Sequence, residues 1–148
     1  MRCLIMITTE PIITEMLVKL DARDLTRSGY IRDSTPGGYI DTAAYLRWVQ
    51  TVVIRHWERF APETARASTL WIAVKHKISH HSAGSADDAI VASTRIKRLK
   101  GVRAIFVTTL SSKDKRLAEV ESTWVCLDSI TKLPKALEPE ALYLFSPA

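Results

Sequence analysis

Between Thr42 and Phe60, apolar side chains return every three or four residues. Tyr45, Trp48, Val49, Val52, Val53, His56, Trp57 and Phe60 fall on one stripe, and that spacing predicts an amphipathic helix of five turns. Arg47, Thr51, Ile54 and Glu58 take the opposite side, with Gln50 at the border. Asp41 or Thr42 can cap the amino end, and Pro62 closes the other. Beyond the helix the period drops to two. In "LWIAVKHKISHH", Leu70, Ile72, Val74, His76, Ile78 and His80 share one face. "DAIVASTRIKRL" and "RAIFVTTLSS" read as a hairpin turning at "KG". After a turn at "SKDK", Ala118, Val120, Ser122, Trp124 and Cys126 point one way, and Glu119, Glu121 and Thr123 the other. An early strand over residues 12–20 precedes the helix. One long helix laid across one antiparallel sheet is an α+β domain, and the sheet must curve to cover so wide a stripe.

At 148 residues the chain has room for a real core, and residues 1–148 read as a single domain. Cys3 and Cys126 stand at opposite ends of the sequence, giving neither a disulfide framework nor a clustered metal set. A cytoplasmic protein is expected. The longest uncharged run near the start, Cys3 to Thr9, is far shorter than the ~18 residues of a membrane span. It also lacks the build of a signal peptide. The net charge of +5 favours an anionic partner, whether nucleic acid, the phosphates of coenzyme A or an acidic carrier protein. The cations concentrate in "RIKRLKGVR", where Arg95, Lys97, Arg98, Lys100 and Arg103 surround the predicted hairpin tip. No aromatic platform interrupts this run, which argues against nucleic acid. Its plainer reading is a strand edge kept soluble by charge.

Three stretches carry a more specific pattern. In "GGYIDTAAYLRW", Gly38, Ile40, Tyr45 and Trp48 are set on a glycine loop running into the helix. "ISHHSAGSADDAIV" ends a strand at His80 and carries Asp88. "STWVCLDSITKLPKALEPEAL" holds Asp128, Thr131, Pro134 and Pro139. In this order and at these separations they resemble the hot-dog fold of acyl-CoA and acyl-carrier-protein thioesterases, in the manner of the 4-hydroxybenzoyl-CoA thioesterase branch. The resemblance runs from Met16 to Leu142. It implies one long central helix wrapped by a curved antiparallel sheet, a homodimer or homotetramer with sites between chains, and no cofactor or metal. It also implies a departure. The family's usual aspartate, three residues before the motif's glycine and ten before its tyrosine, falls here on Thr35. Asp33 matches an upstream acid that some members carry, and "RDLTRSGYIR" looks inserted before it. Thioesterases of enediyne polyketide pathways have an amide side chain at that place and share the "YLRW" helix start, which points toward polyketide biosynthesis.

Thioester hydrolysis needs an oxygen nucleophile and donors for the developing oxyanion. The resemblance assigns the donors to the backbone amides of Gly38 and Tyr39, beside a helix terminus that favours negative charge. A hydroxyl such as Thr35 carries no charge at neutral pH but can orient a water. Asp33 and Asp41 are the nearest carboxylates; turn formation and helix capping respectively are their plainer roles. His80 replaces a family tyrosine beside the acyl pocket. A lone histidine there is more often packed than catalytic, yet an imidazole exchanges protons near neutral pH. Tyr45 and Gln50 are candidates for substrate contact, the one otherwise core and the other otherwise paired with backbone. Arg98 and Lys100 are candidates for gripping phosphates or an acidic carrier. His76 and His80 lie ~13 Å apart along a strand, too far to share a metal ion.

The expected activity is release of a free acid from acyl-coenzyme A or an acyl-carrier protein, with Thr35, Asp33, Gly38, Tyr39 and Asp41 as the candidate catalytic set. Two other classes are compatible with the same residues. One is a biosynthetic lyase, cyclase or acyl-transfer enzyme; the other is a non-catalytic acyl-binding protein.

Overall fold

The computed structural model describes residues 12–18, 25–26, 39–85, 89–113 and 115–146. Helix α1 spans Thr42–Phe60, the bounds that the apolar spacing predicts. Asp41 is its N-cap, accepting the Ala43 N–H at 3.2 Å, and Ala61 N–H closes the last turn on the Trp57 carbonyl. Tyr45, Trp48, Val49, Val52, Val53, His56 and Trp57 are buried on one side, joined by Ala44. Removing each large apolar side chain from water is worth about 1.5–3 kcal/mol, so this stripe fixes where the helix lies. Pro62 then caps a short second helix, α2, at Glu63–Ser68, which the alternating pattern after it had hidden.

The strands are β1 at Thr14–Leu17, β2 at Leu25–Thr26, β3 at Tyr39–Ile40, β4 at Thr69–His80, β5 at Ile90–Lys100, β6 at Arg103–Ser112 and β7 at Lys115–Asp128. Five of them form one antiparallel sheet in the order β1-β5-β6-β7-β4, and β2 pairs with β3. The β5–β6 turn falls at Gly101 and Val102, with Gly101 at φ +60°, a conformation that suits a residue without Cβ. Ile90, Ala92, Thr94 and Ile96 of β5, Ala104, Phe106, Thr108 and Leu110 of β6, and Val120, Ser122, Trp124 and Cys126 of β7 are all buried. These inward positions alternate as the sequence predicts.

The expected face of β4 needs correction. The pairing with β7 shifts between Ala73 and Lys75, leaving Val74 as an extra residue. A bulge of this kind reverses the side-chain phase beyond it. Trp71 and Ala73 pair with the inward Cys126 and Trp124, and past the bulge His76, Ile78 and His80 pair with the inward Ser122, Val120 and Ala118. Leu70 and Ile72 therefore lie on the opposite side from His76, Ile78 and His80. They are 39% and 47% exposed on the outer face.

The tail after β7 follows from a few polar contacts. Asp128 Oδ1 accepts the N–H groups of Ile130 and Thr131, both at 2.9 Å, and Leu133 N–H donates to Thr131 Oγ1. Donation from Thr131, then from Ile130, holds the Asp128 carboxyl below its ordinary range. Leu127 bridges to Pro134, and Pro139 opens helix α3 at Pro139–Phe145. Its Phe145 is buried against Trp57 at 4.8 Å between ring centroids.

Candidate functional site

The amino end of α1 meets the far end of β4. Thr42 Oγ1 and His80 Nε2 lie 3.5 Å apart, and the His80 ring stands 6.0 Å from that of Tyr45. His80 is exposed, while Tyr45 is buried and packs edge-on against Trp48 at 5.7 Å. The first turn of α1 contains no acidic residue, and the Asp41 cap stands at the positive end of the helix dipole. The site thus joins an exposed imidazole, a hydroxyl and a helix amino terminus. Such a set can hold a polarised carbonyl and move a proton nearby.

Gly84 is a contributor that the sequence did not mark. Its carbonyl accepts the Ile40 N–H at 2.8 Å, fixing β3 just before the helix begins. A Cβ at this position would come within 2.7 Å of both Ile40 Cδ1 and Tyr45 Oη. A larger residue here would push the tips of the Ile40 and Tyr45 side chains aside. The signal in the sequence was a single glycine in "SAGS", and nothing local says what it must clear.

The other predicted residues are placed as follows. Asp33, Thr35, Gly38 and Asp88 lie outside the described residues, and Tyr39 is described only as part of β3. Asp41 spends its carboxylate on the Ala43 amide. Gln50 is exposed in a shallow groove on the solvent side of α1 with Arg47, Thr51, Ile54, Arg55 and Glu58. Arg98 and Lys100, with Arg103 and Ile105, line a cleft of about 230 Å³ at the β5–β6 turn. Arg103 pairs with Val125 and His80 with Ala118. Seven residues of β7 separate these levels, about 23 Å along the strand. The basic cleft and the α1 amino end are therefore at opposite ends of the sheet in one chain.

Two further groups are set apart from this chemistry. His56 is buried among Phe60, Phe106 and Phe145, with ring centroids at 4.9, 5.7 and 5.6 Å. Burial, and then the Arg59 charge, lower its pKa to about 4. Arg59 Nη1 donates to Thr14 Oγ1 at 3.3 Å, and the same hydroxyl shares a hydrogen bond with His56 Nδ1 at 2.8 Å. Cys126 is also buried, and burial pushes its thiol up to about 11, which keeps it protonated and unreactive at neutral pH. Among the described residues no three His, Cys, Asp or Glu side chains are grouped to hold a metal ion. No helix among them is long and apolar enough to cross a membrane.

No protein-family model matches the chain, and no curated protein matches it. Solved structures do. A thioesterase from Thermus thermophilus, in complex with coenzyme A and Zn, superimposes at a TM-score of 0.73 with 15% identity, over 90% of this chain and 97% of that one. The YbaW probable thioesterase from Escherichia coli gives a TM-score of 0.65 at 19% identity, covering 88% of this chain and 93% of its own. A hot-dog-like protein from Thermanaerovibrio acidaminovorans gives 0.68 at 15%, covering 82% and 84%. The chain has the hot-dog fold: an α+β arrangement in which α1 packs against the five-stranded antiparallel sheet.

Proposed function

We propose that the protein hydrolyses an acyl thioester, with the thioester carbonyl at the amino end of α1. The observation that carries this reading is His80, an exposed imidazole held beside Thr42 at the start of that helix. Backbone amides of Gly38 and Tyr39 stabilise the oxyanion, and Thr35 or Asp33 orients the attacking water. His80 takes the water proton as oxygen bonds to the carbonyl carbon. The carbon–sulfur bond then breaks, and the proton passes to the departing thiolate. The thioesterases among the similar structures support the reaction class, and the one solved in complex with coenzyme A supports acyl-coenzyme A as a substrate.

The same reading includes a second copy of the chain. β4 is twelve residues long and lies at the edge of the sheet. An edge of this length is a template for another strand. Antiparallel pairing of β4 with its counterpart reverses the second sheet end for end. Arg98 and Lys100 of that copy then come to the end where the first copy holds His80, so phosphates of the bound thiol meet the second chain. Sedimentation as a monomer at working concentration would remove this part of the proposal.

The test of the reaction is free-thiol release from a panel of acyl-coenzyme A and acyl-carrier-protein thioesters, including β-keto chains. We expect turnover with wild type, and a kcat lower by roughly 10²–10⁴ in His80→Gln with folding intact. Asp33→Asn, measured alongside, separates a carboxylate base from an imidazole one. No thiol release from any member would overturn the hydrolase and leave the transfer enzyme or the binding protein.

A further inference from the structure

Among the described residues, two buried side-chain polar atoms lack a hydrogen-bond partner: Trp71 Nε1 and His76 Nδ1. Both residues are on β4, and the Val74 bulge puts both on its inward side. Buried polar atoms are nearly always paired, and leaving one unpaired is costly. Two orphans on one face of one edge strand mark a wall facing something that the folded chain does not supply. Trp71 is enclosed by Trp57 and Phe145, at 5.5 and 5.6 Å between ring centroids. His76 lies nearer the site. Burial lowers its pKa, so at neutral pH the ring is uncharged and offers one donor and one acceptor. Past the bulge the pairing is regular, from His76 opposite Ser122 to His80 opposite Ala118. The two histidines are thus about 13 Å apart on one face, and Ile78 forms an apolar step between them.

We propose that His76 Nδ1 hydrogen-bonds an oxygen on the acyl chain of the bound thioester, selecting an oxygenated chain over a saturated one of equal length. This rests on the thioester carbonyl lying beside His80. On that reading the acyl chain runs from His80 along the inward side of β4, past Ile78, to His76. About 13 Å corresponds to roughly ten carbons, since each bond of about 1.5 Å advances a zigzag chain by less than its length.

The experiment is equilibrium binding of non-hydrolysable coenzyme A thioethers to wild type, His76→Leu and His76→Asn. The probes are a saturated chain and a set with one hydroxyl walked from about carbon 8 to about carbon 12. Wild type is expected to prefer one hydroxylated chain. His76→Leu should lose that preference, weakening this chain roughly 5- to 100-fold while leaving the saturated chain unchanged. His76→Asn, whose amide can stand where Nδ1 does, should keep most of it. Equal weakening of both chains would overturn the proposal and place His76 against the pantetheine arm, or in a purely structural role. An unchanged preference in His76→Leu would overturn it too. Thiol release is measured separately with the same variants. A hydroxyl preference that depends on His76, in a protein that releases no thiol, would support this contact while sinking the hydrolase. Failure to bind any thioether would sink both.

Discussion

At its carboxyl end α1 presses His56 and Trp57 against Phe106, Trp71 and Phe145. At its amino end it offers Thr42 and Tyr45 to a histidine that remains exposed, next to the turn in which Gly84 packs against Ile40 and Tyr45. The contrast lies along a single helix of 19 residues. Close packing of aromatic rings at one end anchors the helix, which leaves the other end free to hold polar groups in the open. The same residue type shows it most clearly: His56 is kept neutral by burial, and His80 is held at the surface.

Trp57→Ala should break the closed end with the largest effect, about 3–5 kcal/mol lost in urea unfolding, because a cavity opens between Trp71 and Phe145. A smaller loss of comparable kind needs only acid. The unfolded His56 binds a proton below about 6.5, and the folded one only below about 4. Its contribution is therefore complete above pH 6.5 and drains away as pH falls through that window, by about 3 kcal/mol. Thermal unfolding of wild type between pH 7 and pH 4 should show that slope, and His56→Leu should flatten it. An equal slope in both would assign the acid sensitivity to other groups. The smallest effect belongs to the open end. Asp41→Ala removes the α1 cap and should cost about 1 kcal/mol, measured as a lowered unfolding midpoint. A loss as large as that of Trp57→Ala would mean that the two ends are not built on different terms.

What could be foreseen depended on range. Helix α1 was legible to the residue, since its spacing records which side meets the sheet. The β5–β6 turn was legible from a glycine. The face of β4 was not, because "IAVKHKI" alternates without a break while its pairing skips a residue. Register is set by the partner strand, and β7 lies well along the sequence. The site was legible in part for a related reason. His80 stood out as a residue type in the wrong place for the resemblance, but its approach to Thr42 depends on β4 ending beside α1. Gly84 stayed hidden because its constraint comes from Ile40 and Tyr45, across the fold. Helix α2, six residues long and with one buried residue, has too short a period to read.

The extra residue at Val74 has a consequence for how this protein changes by inheritance. Losing that one codon would join Ala73 to Lys75 in an unbroken ladder and leave His76, Ile78 and His80 on the inward face. A three-nucleotide deletion would thus erase the bulge while every pair from Ala73 and Trp124 to His80 and Ala118 kept its place. Elsewhere in a strand a change of length turns every later side chain over; at this one position it is absorbed.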